Sequence, residues 1–285
     1  MKYKEFLEKY QTQAVERGLE ESAILLLLLH ESKLSSAELY LKMNDQIEQN
    51  VIDSFEEDVK KYFNDNVPIQ YIIGTSCFYG YDFNVNENVL IPRYETEELV
   101  ENVLFLYDDY FKPNDVDVVD IGTGSGCISC TLALEEPHMH VCATDISFEA
   151  LGVARENALK LDAKVDFYQG NMLEPVMDKK FDILVSNPPY IPASENVDPL
   201  VKDNEPNIAL FGGDDGLKFY HIILSNAPKI MKDKCILGFE HGYNKTQEIE
   251  AICKEYFPDA KIYTKKDLQG LDRMTFVIRG FNNEK

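Results

Sequence analysis

The chain is short of positive charge. Lys and Arg number 28 against 50 Asp and Glu in 285 residues, a formal net charge of -22. A nucleic-acid binder gains affinity by displacing counterions with Lys and Arg, and no basic run stands out here, so direct nucleic-acid binding is not expected. Long apolar runs are also missing. Ile24 to Leu29 falls far short of the ~20 residues a spanning helix needs and reads as a buried core helix. The N-terminus is highly charged and unlike a signal peptide, which points to the cytoplasm and to no membrane partner. Six cysteines without an export signal read as reduced thiols. Cys127 and Cys130 form a CxxC, but a metal or redox role wants a second pair or nearby His ligands. The sequence offers no such set, no metal is expected, and both thiols read as small helix residues.

What is present is an ordinary globular balance, 45% apolar and 27% charged, enough for one large domain and a smaller one. Three stretches are expected: a helical domain over 1–66, a β-hairpin linker over 67–94 and an α/β domain over 95–285. In the first, apolar residues recur at helical spacing in Tyr3, Phe6, Leu7 and Tyr10, and Ser35 with Glu38 offers an N-cap and an acidic first turn. His30 reads as a packing residue. Val67-Pro68 breaks the pattern, and 69–91 reads as β-rich. From about 95, short apolar strands at Val116–Asp120, Val141–Asp145, Val165–Tyr168, Phe181–Ser186 and Cys235–Glu240 alternate with helices such as Phe148–Leu161. Late strands near Lys261–Thr264 and Met274–Arg279 would close the sheet. Alternation of this kind predicts a parallel, Rossmann-like sheet covered on both faces.

Three motifs carry chemistry. Val118-Val119-Asp120-Ile121-Gly122-Thr123-Gly124-Ser125-Gly126 is a strand running into a glycine turn and a helix. Glycine lets the backbone turn sharply and approach a ligand, and the helix start offers free N–H groups. The spacing is GxGxG rather than the GxGxxG of dinucleotide sites, and this form resembles the nucleoside-methionine loop of class I methyltransferases. Asp145 ends the next strand. It could accept hydrogen bonds from both hydroxyls of a ribose, or cap the following helix in competition with Ser147; beside the glycine loop the ribose role is preferred. Asn187-Pro188-Pro189-Tyr190 follows the fourth strand, at the sheet edge where open α/β folds bind ligands. Two prolines fix the backbone and remove donors, Asn187 adds a side-chain acceptor and donor, and Tyr190 offers a plane. Together they suit an NH2 conjugated to a carbonyl or an aromatic ring. His138 and His140 read as loop residues, Glu240-His241 as a possible cleft edge, and 195–215 as a solvated acidic loop.

Beyond these motifs, Gln70-Tyr71-Ile72-Ile73-Gly74, Phe78-Tyr79-Gly80 and Leu90-Ile91-Pro92-Arg93-Tyr94-Glu95-Thr96-Glu97 precede the glycine loop. Glu205-Pro206, Gly212-Gly213, Asp215-Gly216-Leu217 and the stretch from Asp267 to Arg273 follow the diproline turn. In this order they closely resemble the release-factor glutamine methyltransferase family, also called PrmC or HemK. The resemblance implies an S-adenosylmethionine-dependent class I methyltransferase whose sheet has an antiparallel closing strand. Its implied substrate is the glutamine of the Gly-Gly-Gln loop of peptide chain release factors, methylated on the side-chain nitrogen. By the same resemblance, the cofactor is held by Gly122, Thr123, Gly124, Ser125, Gly126, Asp145, Asn171, Met172 and Asn187. Asn187, Pro188, Pro189 and Tyr190 hold the glutamine amide, with Asn187 and Pro188 as the catalytic pair, and Phe78 forms a wall of its pocket. The helical domain and hairpin dock the protein substrate, and a monomer is expected. Tyr94 stands where the family usually has a proline, and Asn171 and Met172 where an aromatic or acidic residue is common. The Asn-Pro-Pro-Tyr turn also occurs in N6-adenine nucleic-acid methyltransferases, disfavoured here by charge and by the lack of a target-recognition insertion. A catalytically silent cofactor-binding protein is a third reading.

Overall fold

The computed structural model describes residues 1–281, which separate into two compact units: Met1–Thr75 with Val197–Asn204, and Ser76–Asn196 with Glu205 onward.

The smaller unit is helical: α1 (Tyr3–Glu16), α2 (Glu21–Ser32), α3 (Ser36–Leu41), α4 (Gln49–Asn64) and α5 (Ile69–Ile73). Val51, Phe55, Val59 and Tyr62 recur at helical spacing on α4 and are all buried. Phe55 meets Phe6 edge-on with ring centroids 4.9 Å apart. Within the leucine run, Ile24, Leu27 and Leu28 are fully buried while Leu26 stays exposed. Each such buried side chain stabilises by roughly 1.5–3 kcal/mol. The expected cap on α3 is a full capping box, in which Ser35 accepts from the Glu38 N–H and Glu38 reaches back. One expectation is corrected: residues 69–73 are helical, not β. Pro68 suits the start of a helix, and Gly74 in a left-handed conformation ends it. The β-branched isoleucines that suggested a strand pack as a helical turn against the other helices.

A two-stranded hairpin, β1 (Thr75–Phe78) and β2 (Tyr81–Asn84), follows, and 85–93 continues without strand. Helix α6 (Tyr94–Tyr110) then leads into a seven-stranded sheet. Its strands are β3 (Val116–Ile121), β4 (Met139–Asp145), β5 (Val165–Gln169), β6 (Phe181–Ser186), β7 (Met231–Glu240), β8 (Lys261–Lys266) and β9 (Asp272–Arg279). Their order is β5-β4-β3-β6-β7-β9-β8. The first five are parallel, and β9 enters antiparallel between β7 and β8. Interior strands read as near-continuous apolar runs because both faces are covered; every residue of β6 is buried. Helices α6, α7 (Cys127–Glu135) and α8 (Phe148–Leu161) supply one layer of the core, and α11 (Lys218–Ile230) and α12 (Thr246–Tyr256) the other. Short helices α9 (Pro199–Lys202) and α10 (Asn207–Leu210) lie between β6 and α11. His140 lies within β4 rather than in a loop, and His138 pairs with Asp115 at 2.6 Å. Among the described residues no helix is long and apolar enough to cross a membrane.

Candidate functional site

Chain order places the site. The strand sequence steps outward from β3 to β4 and β5 on one side and resumes with β6 and β7 on the other, so β3 and β6 flank the topological switch point. Ligands of open α/β sheets sit outside the carboxyl ends of strands at this point. Asp120 is in register with Val185, so the glycine turn after β3 and the diproline turn after β6 leave the sheet side by side. The Ser186 hydroxyl donates to the Ile121 carbonyl at 2.7 Å and ties the two ends together.

A cavity of about 310 Å³ opens there, at the small end of the ~300–1,000 Å³ typical of ligand sites. Gly122 and Gly124 line it from β3, Asp145 to Ser147 from β4, Asn171 and Met172 from the turn after β5, and Asn187 and Pro189 from the turn after β6. Val89, Leu90, Ile208, Phe219 and Ile222 add apolar walls.

The glycine turn is shaped from behind. Gly122 and Gly124 have φ of 76° and 55°, and a Cβ on either would meet only open space. The bar to other residues is therefore the left-handed backbone rather than crowding by the protein. The N–H groups of Gly122 and Thr123 donate to the Thr144 carbonyl at 2.9 and 3.0 Å. The Asp145 carboxylate accepts from the Gly124 N–H through one oxygen and from the Ser147 N–H through the other, each at 2.9 Å. Helix α8 is capped by Ser147 itself, which accepts from Ala150, so Asp145 is not needed as its cap. Burial raises the Asp145 carboxyl, and three backbone N–H groups oppose the rise. Asn157, fully buried on α8, donates to the carbonyls of Asn84 and Ser125 and accepts from the Asn84 N–H. One side chain thus braces the hairpin against the loop, a role no local motif announced.

Not every expected residue reaches the cavity. Thr123, Ser125 and Gly126 turn into the protein: Thr123 donates to Asp120 at 2.6 Å, Ser125 is buried, and Gly126 packs against Ala154. Asp120 is completely buried, has one oxygen without a partner, and is pushed up to about 7 by burial. Pro188 is buried and Tyr190 half-buried; neither lines the cavity wall. The placement of Phe78 is a correction. It lies on the inward face of β1, fully buried edge-on to Phe83 in the core, and forms no wall of the cavity. Met172 does line it, with a φ of 48° and its carbonyl accepting from Thr144 at 2.8 Å. A left-handed non-glycine residue costs of order 1–3 kcal/mol and clusters at functional sites.

The acidic stretch 195–215 is not simply solvated. Glu205 is buried, accepts from the Ile91 N–H at 3.0 Å and pairs with Arg93, so it links 91–93 to the segment that carries the wall residues Pro206, Ile208 and Ala209. The glycines that follow have a packing reason. A Cβ on Gly212 would lie 2.5 Å from the Pro189 carbonyl oxygen, and one on Gly216 would lie 2.3 Å from that of Tyr190, so the diproline turn is buttressed by bare backbone.

Sheet order, glycine turn and switch-point cavity define a class I, Rossmann-like methyltransferase. A methyltransferase from Pyrococcus furiosus shares the fold, with a TM-score of 0.53 at 17% identity over 71% of this chain and 91% of its own. Two family models match, the PrmC N-terminal domain over residues 6–74 and the methyltransferase small domain over 104–203. The release factor glutamine methyltransferase of Bacillus cereus is 42% identical over 266 residues, 92% of this chain and 94% of that protein. Its counterpart in Bacillus subtilis is 44% identical over 263 residues, 90% and 91% of the two chains. The chain belongs to the release factor glutamine methyltransferase family.

Proposed function

We propose that the protein transfers a methyl group from S-adenosylmethionine to the side-chain amide nitrogen of the glutamine in the Gly-Gly-Gln motif of peptide chain release factors, as a cytoplasmic monomer. The observation that carries this reading is that Asn187 and Pro189 line the same cavity as Gly122, Gly124 and Asp145. A grip for a planar NH2 and a seat for a nucleoside then share one space.

The residues fit the cofactor. Asp145 uses both oxygens on backbone donors yet retains lone pairs for two ribose hydroxyls. Ile146, Ile208 and Met172 line the cavity with apolar surface that would suit an adenine, and Asn171 beside them would offer it a polar contact. Bound there, S-adenosylmethionine supplies a sulfonium-activated methyl group. An amide nitrogen is a poor nucleophile because its lone pair is delocalised. The side-chain oxygen of Asn187, on the cavity wall, accepts one of its hydrogens, and the family resemblance assigns the other to the backbone carbonyl of Pro188, whose ring lies buried behind that wall. The pair orients the nitrogen and pushes electron density toward its lone pair. The nitrogen, made acidic as it takes the methyl group, gives up one hydrogen as a proton to water. Proline rigidity keeps these acceptors at near-attack placement with little entropy left to lose. Tyr190 closes the turn and steadies it. The acidic surface suits a protein substrate better than a phosphate backbone.

The decisive experiment incubates the protein with labelled S-adenosylmethionine and, in parallel, purified release factor or DNA, then maps the label by mass spectrometry. Label on the Gly-Gly-Gln glutamine is expected. Label on DNA adenine instead, or on neither, overturns the reading.

A further inference from the structure

Asn187 serves an incoming NH2 only with its oxygen facing the cavity. The oxygen and nitrogen of a primary amide are nearly the same size, so shape alone hardly opposes a half-turn that presents the nitrogen. The partners behind the side chain make the choice. The Asn187 amide nitrogen donates to the Thr96 hydroxyl at 3.1 Å, and that hydroxyl donates to the Glu240 carboxylate at 2.7 Å. A hydroxyl has one proton. With it committed to the carboxylate, Thr96 offers Asn187 only lone pairs. Thr96 and Glu240 are 3% and 2% exposed, so water cannot substitute freely for either. The relay joins three separate elements: Thr96 from the first turn of α6, Glu240 from the end of β7, and Asn187 from the turn after β6.

We propose that Glu240, acting through Thr96, is a positioning residue that holds the side-chain oxygen of Asn187 toward the cavity, and that methyl transfer requires this carboxylate to be ionised. The proposal rests on the reading above, in which Asn187 receives the substrate amide. Turning the amide over would set its oxygen against the lone pairs of Thr96 and its NH2 against the incoming NH2. Ionised Glu240 forbids this; a protonated Glu240 would donate to Thr96, free the threonine proton and lift the restriction.

The surroundings put the change in a useful range. Burial pushes Glu240 up to about 7, with Glu95 of α6 adding to the rise, while Thr96, Arg273 of β9 and Asn187 oppose it. Tyr220 of α11 donates to the Glu240 main-chain carbonyl at 2.6 Å rather than to its carboxylate, and Tyr190 and the buried Cys127 thiol of α7, itself raised by burial, also face it. The ring of His241 is occupied by Thr275 and the Gly242 carbonyl.

The test compares Glu240→Gln, Thr96→Val and Thr96→Ser in the full chain with release factor as substrate. Turnover is expected to fall on the order of 100-fold in Thr96→Val, as for a misplaced reacting group, to fall by less, but more than twofold, in Glu240→Gln, whose amide oxygen can still accept from Thr96 in part of the molecules, and to stay near wild type in Thr96→Ser. KM for release factor and Kd for S-adenosylmethionine should move less than about threefold, the pattern of an interaction felt in the transition state. Wild-type turnover should fall below a pH of about 7, and Glu240→Gln should lose that acid limb. A substrate-free readout accompanies this: with asparagine labelled in ¹⁵N, the side-chain NH2 signals lost in Asn187→Ala should titrate in wild type and stay still in Glu240→Gln. Turnover within twofold of wild type in both Glu240→Gln and Thr96→Val, or an acid limb that survives in Glu240→Gln, overturns the proposal. Should Glu240→Gln not fold, the Thr96 pair decides it. A wild-type protein that methylates no release factor refutes the function instead, and the Asn187 titration then decides the relay alone.

Discussion

The two turns at the switch point reach rigidity by opposite routes. After β3 the chain uses glycine, the residue with most backbone freedom, and the turn takes its form from outside. Thr144 and Asp145 collect its N–H groups and Asn157 holds its carbonyl. After β6 the chain uses two prolines, whose rings fix the backbone covalently. There the freedom left to restrain lies in the Asn187 side chain, which is met by Thr96. A soft backbone can approach a ligand and needs second partners on its main chain. A stiff one presents carbonyls without help and needs partners only for its polar side chain.

Mutations can break this contrast. Asn187→Ala should reduce methyl transfer about 10²–10³-fold, the usual cost of one preorganised hydrogen-bonding partner of the transition state, with cofactor affinity by calorimetry nearly unchanged. Loss of cofactor binding instead would assign the stiff turn to the wrong end of the cavity. Gly124→Val should act the other way. A β-branched residue at a φ of 55° costs of order 1–2 kcal/mol in backbone alone, and cofactor affinity should drop roughly 10–100-fold. Asp145→Asn keeps acceptance from Gly124 through one oxygen but loses the charge toward ribose. About a tenfold loss of cofactor affinity is expected, in line with a hydrogen bond to a charged group.

The smallest effect concerns the buried acid behind the soft turn. Burial pushes Asp120 up to about 7 in the fold, against ~3.9 in an unfolded chain. Its folded value is the higher one, so its contribution to stability is complete below about pH 4 and is lost as pH rises through about 7. Asp120→Asn does not titrate. Its melting temperature relative to wild type should therefore shift about 2–4 °C in the variant's favour between pH 6 and 7. A constant difference across that range would show that Asp120 is not the group responsible.

Much of this was legible in one dimension. Strand and helix identities follow from local periodicity, and Phe148–Leu161 and Phe181–Ser186 appear with the expected bounds. The glycine, Asp145 and Asn187 motifs are contiguous or sit at strand ends, so topology alone puts them together. Residues 69–73 misled because β-branched composition is shared by strands and by short buried helical turns, and packing against the other helices decided between them. Phe78 is placed at a pocket wall by the family resemblance alone, while the face of β1 on which it lies is set by hairpin register. Glu205 looked like one more solvated acid, and its burial depends on Arg93 and Ile91, more than a hundred residues earlier.

The sequence alone determined the class of fold, the two turns and their neighbourhood, because hydrophobic period, glycine and proline act within a few residues of themselves. Tertiary structure alone decided which members of those motifs face the cavity and which acids lie buried behind it. Thr96, Asn187 and Glu240 are separated by 91 and 53 positions along the chain. Whether such residues exchange a proton's direction depends on desolvated contacts between elements, and no local pattern encodes that.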